Sequence, residues 1–328
     1  MNKRIIFAGL LLSVAGSVQA QDRQVVDTVA NALDTQGLLT PAGHFEIEPS
    51  FSYSQNTSNR ISILGYSVLP ALVVGLIQAE DSDLATLTWG LAARYGLTNR
   101  IELEMRVPWV YRHDSYTFRE PGGPEVTTST FVSNGGGLGD IEGAIRYQFN
   151  LESVPFWIGG LRVKSDTGDS PFDQELNSDG IFSDPPTGSG AWAIEPSLTL
   201  IYPSDPAVLF GSAGYTWNLE ADAGRDLDGD DRANDNVDLG DSFFLGMGMG
   251  FAVNNRLSFS LGVNHRTVFI SRVNGRRASG AEVLQLDSLT TGFSLALTDR
   301  TSINMNLQAG LTEDAPDVQV NFGMPISF

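Results

Sequence analysis

The chain has three histidines, His44, His113 and His265, and no cysteine, so few groups could serve as a base or a nucleophile at neutral pH. His265 and Thr267 stand two residues apart and would share one face of a strand. No serine on that parity supports a nucleophile, so the pair reads as an interfacial histidine, and no enzymatic activity is expected. The acidic run Asp226, Asp228, Asp230, continuing to Asp235, Asp238 and Asp241, spaces carboxylates as a calcium loop does. An EF-hand requires Gly at its sixth position, where Asp231 stands. The readings left are weak calcium binding at Asp226, Asp228 and Asp230 or a solvated acidic loop, and no other cofactor is expected.

The largest set of charged residues follows a two-residue rhythm. Glu46, Glu48, Arg94, Glu102, Glu104, Arg106, Arg112, Glu142, Arg146, Arg162, Lys164 and Glu195, with His44, fall on one parity of successive segments. The other parity carries Phe45, Ile47, Phe51 and Tyr53, then Leu87, Trp89, Leu91 and Tyr95, then Ile101, Leu103, Met105, Val107, Trp109 and Tyr111. In a strand these parities are opposite faces. A basic side chain facing lipid at mid-depth costs a few kcal/mol, so the charges are expected to line a lumen and the rings to face lipid. Six acidic and six basic residues balance there, which points to salt-bridged walls or a plug-docking site more than to a strongly ion-selective pore.

Such faces need strands to hold them, and alternation recurs throughout the chain after residue 38. Near the end Val318, Val320, Phe322, Met324, Ile326 and Phe328 share one parity, opposite Gln319, Asn321 and Ser327. Three similar turns, Leu97–Arg100, Val253–Arg256 and Leu297–Arg300, and the short connections 150–154 and 203–206, alternate with long polar stretches at about 55–82, 114–137, 167–190, 219–240 and 271–280. This spacing predicts strands at 43–54, 83–96, 101–113, 138–149, 155–166, 191–202, 207–218, 241–253, 256–270, 281–297, 301–311 and 317–328. The expected fold is all-β: a transmembrane up-and-down antiparallel barrel of about twelve strands.

Residues 1–20 read as a signal peptide, with Lys3 and Arg4, an apolar stretch and a Val18-Gln19-Ala20 cleavage site. No cysteine follows to carry a lipid anchor. The longest later apolar stretch, 61–77, is broken by Ser62, Gly65, Ser67, Pro70 and Gly75, so no spanning helix is expected. The formal charge of −19 becomes −21 once Lys3 and Arg4 leave, which argues against a nucleic-acid partner. Residues 21–42 form the N-terminal segment and 43–328 the barrel. In the first of these Val25, Val26, Val29 and Leu33 fall at helical spacing, with Gly37 as a C-cap. So short a helix is marginal alone, and a plug in the barrel mouth or a short coiled-coil contact would give it a surface.

Several stretches resemble the outer-membrane channel of the functional-amyloid (Fap) secretion system and its wider transporter family: Thr40-Pro41-Ala42-Gly43 leading to Glu48-Pro49-Ser50, Arg94 to Arg100, Val107 to Arg112, Gly137 to Asp140, Arg162 to Ser165, Glu195-Pro196-Ser197, Tyr202 to Pro206 and Thr312 to Asp317. The resemblance implies a twelve-stranded barrel plugged by an N-terminal helix, through which unfolded amyloid subunits pass outward. That channel also carries a longer coiled coil associated with trimerisation, where this chain has residues 21–42 alone before its first strand. The terminal Phe328 is likewise what many such barrels present to the barrel-insertion machinery. Expected partners are therefore outer-membrane lipid and lipopolysaccharide of a Gram-negative bacterium, that machinery, and a secreted amyloid subunit, with a trimer as one assembly. Three functions stay open: gated export of an unfolded polypeptide, diffusive uptake of small organic molecules, and a non-conducting structural or adhesive barrel.

Overall fold

The computed structural model describes residues 38–58, 78–120, 127–174, 183–224, 227, 235–278 and 281–328. Its strands are β1 (Phe45–Ser58), β2 (Gln78–Thr98), β3 (Ile101–Glu120), β4 (Thr127–Leu138), β5 (Glu142–Gln148), β6 (Phe156–Lys164), β7 (Ala193–Pro203), β8 (Ala207–Asn218), β9 (Ala221–Asp222), β10 (Asn236–Asp238), β11 (Ser242–Ala252), β12 (Leu257–Val268), β13 (Arg272–Val273), β14 (Arg276–Arg277), β15 (Leu284–Thr298), β16 (Thr301–Gly310), β17 (Val318–Gly323) and β18 (Ile326–Ser327). No helix occurs among the described residues.

Fourteen of these strands build one antiparallel sheet that closes on itself through β1 and β17, with Ser50, Ser52 and Ser54 opposite Gly323, Asn321 and Gln319. β4 and β5 succeed one another along β3, and β17 and β18 along β1, so the barrel has twelve staves. Both breaks have a backbone cause. Proline has no N–H to give a ladder. Pro108 stands opposite the gap between β4 and β5, where its carbonyl accepts from Gly139 N at 2.9 Å. Pro325 itself separates β17 from β18. Closure leaves no barrel edge to aggregate and satisfies the backbone without water, as a bilayer requires.

Three expected loops are corrected. The stretch 114–137 is largely strand: β3 runs on to Glu120, and β4 pairs with it from Glu120↔Thr127 to Trp109↔Leu138. Ser115 to Phe118 and Thr127 to Val132 are β-branched, aromatic or small, so the hairpin extends with little side-chain cost. The stretches 219–240 and 271–280 hold the small sheet β9, β10, β13 and β14. It packs with Phe172, Ala191 and Leu239 into a separate apolar core at the long-loop end.

The polarity of the barrel is inverted relative to a water-soluble fold. Leu91, Met105 and Trp109 are 53–54% exposed on the outer face, with Trp89, Ile145, Leu198, Met247, Leu289 and Phe322 around the same wall. Such a belt is what a hydrocarbon layer covers. Leu91→Arg places a charge in that layer, at a cost of about 2–4 kcal/mol near the midplane. We expect it to reduce folded yield in bilayers well below that of Thr88→Arg, whose side chain lies on the inner parity. Equal yields, read by heat-modifiable gel mobility, would contradict this assignment of faces.

Candidate functional site

The inner wall is built by register. Cross-strand partners set Glu46 opposite Arg94 and Arg94 opposite Glu104, Glu102 opposite Arg146, Arg106 opposite Glu142 and Glu142 opposite Lys164, and Arg162 opposite Glu195. Opposite charges therefore face one another across neighbouring staves, the arrangement that stabilises a sheet face. All twelve of the charged residues expected inside are on the inward parity, and most are nearly inaccessible, from Glu48 at 1% to Arg94, Glu142 and Arg146 at 8%. His44 departs from that set. It precedes β1 and is exposed at the rim, with Nδ1 3.2 Å from its neighbour Ala42 O.

The pairs join into chains. Arg94 donates to Glu46 at 2.6 Å, Glu48 at 2.7 Å and Glu104 at 2.6 Å. Glu104 also accepts from Arg146 at 2.8 Å, and Arg146 pairs with Glu102. Further round the wall Arg162 bridges Glu142 at 3.2 Å and Glu195 at 2.8 Å. Arg112 pairs with Asp114 at 3.1 Å and donates to Pro186 O at 3.2 Å. Burial of Arg94, Arg146 and Arg162 is tolerable because each is paired with two or more carboxylates.

Three members escaped the sequence reading. Asp114 lies beyond the expected end of its strand. Arg266 follows the outward His265 and so has inward parity; it donates to Ser242 Oγ at 2.7 Å and lies 5.1 Å from the Phe244 ring centre. Asp140 sits in the β4–β5 break, where no alternation is defined. It accepts from Lys164 at 2.7 Å, Ser189 N at 2.9 Å and Gly168 N at 3.1 Å, which ties two long-loop segments to the wall.

The segment before β1 enters the barrel at the short-turn end. Leu38 and Leu39 are buried with Ile158, Ile201 and Val208 of β6, β7 and β8, flanked by Phe156 and Phe210. Thr40 donates through its N–H at 2.7 Å and its hydroxyl at 2.6 Å to Glu102 Oε2 of β3. The chain then reaches β1 through Gly43, whose φ of +78° suits glycine. At Gly96 the Pro41 carbonyl lies where a Cβ would be, so only glycine admits the segment there. The expected plug residues Val25, Val26, Val29 and Leu33 lie outside the described residues, as do residues 1–20 and the acidic positions Asp226, Asp228 and Asp230.

The histidines separate. His113 meets Asn134 Oδ1 at 2.5 Å on the outside of the β3–β4 hairpin. His265 joins Asp287 Oδ1 at 2.5 Å and Thr267 Oγ1 at 3.0 Å on the outer face. Asp287 is the partner the sequence did not reveal, because it arrives from β15. The backbone groups beside Thr267 belong to the ladders with β11 and β15, so this cluster holds no preorganised oxyanion donor.

An outer membrane channel from Pseudomonas putida F1 superimposes with a TM-score of 0.59 at 16% identity, over 88% of this chain and 97% of that one. The translocator domain of the autotransporter NalP from Neisseria meningitidis gives 0.49 at 9%, over 96% and 98%. The P. putida toluene transporter TodX gives 0.46 at 11%, over 88% and 90%. The first of these shares the barrel fold described above. Residues 34–328 match the family described as "Putative MetA-pathway of phenol degradation", and the chain belongs to that family.

Proposed function

We propose that the protein is a gated channel of the Gram-negative outer membrane for small organic solutes, closed at its periplasmic mouth by its own N-terminal segment. The observation that carries this reading is the entry of Leu38 and Leu39 into the barrel, where they cover an apolar patch on the far wall while Thr40 engages Glu102. A barrel that served only as scaffold would gain little from threading its leader into its own mouth. The rest of the plug is assigned to the preceding segment, whose Val25, Val26, Val29 and Leu33 have the spacing of an apolar helix face. The short-turn end, which holds both this segment and Phe328, faces the periplasm.

Two lines support a small solute. The family description names a phenol-degrading pathway. The inner wall is crossed by ion pairs that hold its shape, as a pore of fixed, narrow bore requires. Export of an unfolded amyloid subunit, which the sequence resemblance implied, calls for a path wide enough for side chains of every size.

Single-channel recording in planar bilayers tests the proposal. The full chain should give rare, brief openings, and deletion of residues 21–37 should give a persistently open state at unchanged gel mobility. Absence of conductance from both would remove the channel reading. Conductance that is steady and equal in both would remove the gate.

A further inference from the structure

The inner wall is divided chemically. Charge gathers on β2, β3, β5 to β7 and β12 and on the short-turn half of β1, whereas the wall from β16 through β17 to the far half of β1 carries only amides, hydroxyls and glycines inward. Register places Ser52, Asn321 and Asn306 side by side across three staves, and Ser54, Gln319 and Gln308 in the next row. Adjacent staves lie about 4.8 Å apart, so these groups form a lattice with regular spacing.

Within that lattice several polar atoms are buried and have no hydrogen-bond partner: Ser52 Oγ, Asn321 Nδ2, both amide atoms of Asn306, and Gln308 Oε1. Their residues are 2–6% exposed. Buried amide groups in proteins are otherwise almost always satisfied, and a contiguous cluster of exceptions marks a place where something else supplies the bonds. The cluster offers donors and acceptors together and no formal charge. An anion would meet the Asn306 and Gln308 carbonyls as well as the N–H groups, and a cation would meet the N–H groups as well as the carbonyls. A neutral molecule with hydroxyl groups satisfies both kinds, because each hydroxyl donates and accepts.

We propose that this neutral wall is a binding track for uncharged, hydroxyl-bearing organic solutes, with Asn306 and Asn321 as its selecting residues. The proposal rests on the channel reading above and adds the solute class and the stave it follows. The charged wall opposite holds the pore in shape, and the amide wall discriminates.

Block of single-channel current in the full chain tests this, with glucose as the uncharged probe and gluconate as its charged counterpart. Glucose should interrupt the open current at concentrations where gluconate does not. Asn306→Leu with Asn321→Leu should raise the half-blocking glucose concentration about tenfold. If that pair does not assemble, Asn306→Ser alone should raise it in the same direction. Asn306→Asp with Asn321→Asp should lose glucose block and favour cations. Openings that glucose does not interrupt, or block equal in wild type and variants, would overturn the binding track while leaving the channel in place. A chain that never conducts would instead overturn the channel reading itself.

Discussion

Arg94→Ala is expected to destabilise the barrel by about 3–5 kcal/mol, the range found when one partner of a buried ion pair is removed. Arg94 bridges Glu46, Glu48 and Glu104, all within 2.7 Å, and Glu48 is 1% exposed. Its loss leaves carboxylates facing one another without solvent to screen them. Arg94→Lys should recover only part, because one ammonium cannot reproduce a planar fork that reaches three carboxylates. Arg94→Met combined with Glu48→Gln and Glu104→Gln should recover more than lysine does, since it removes the stranded charge rather than re-pairing it. Urea unfolding in detergent or lipid, followed by gel mobility, measures all three. An Arg94→Ala barrel that unfolds with the wild type would show that water reaches these carboxylates and that the wall is not a desolvated network.

Leu38→Asp with Leu39→Asp should open the channel. Burial of two leucine side chains contributes about 3–6 kcal/mol to holding the segment in place, before the ordering of the chain is deducted. The substitutions also set carboxylates near Glu102, which already accepts from Thr40 and pairs with Arg146. A net change of about 3 kcal/mol corresponds to more than a hundredfold in the open-to-closed ratio. Open probability in planar bilayers reads this directly, and unchanged heat-modifiable mobility shows that the ladder itself is intact. Open probability equal to that of the wild type would place the gate elsewhere, with the folded core around Phe172, Val237 and Leu239 at the long-loop end as the next segment to remove.

The sequence alone determined the fold class, the stave number and the two faces. Strand parity is a local property with a period of two, so alternation along each segment is enough to separate Leu91 from Arg94 or Glu104 from Met105. The alternation of short turns and long polar stretches then fixed the up-and-down order, because antiparallel neighbours need only a tight turn. Even the twelve charges of the inner face were legible, since lipid forbids them the other side.

Tertiary structure decided what no local period can carry. Which charge meets which depends on register between staves, so the Arg94 and Arg162 bridges appear only once the strands are paired. Asp140 acquires its role at a break in a stave, which Pro108 imposes from the neighbouring strand. The hairpin beyond residue 114 looked like loop because its serines, threonines and glycines are polar or small, yet a long partner strand makes ladder of them. Leu38 and Leu39 showed no strand or helix pattern, and their burial depends on residues 158, 201 and 208, more than a hundred positions away. The division of the inner wall into a charged and a neutral half has the same origin. Each strand contributes a few polar residues, and only closure of the sheet collects the neutral ones into a continuous surface.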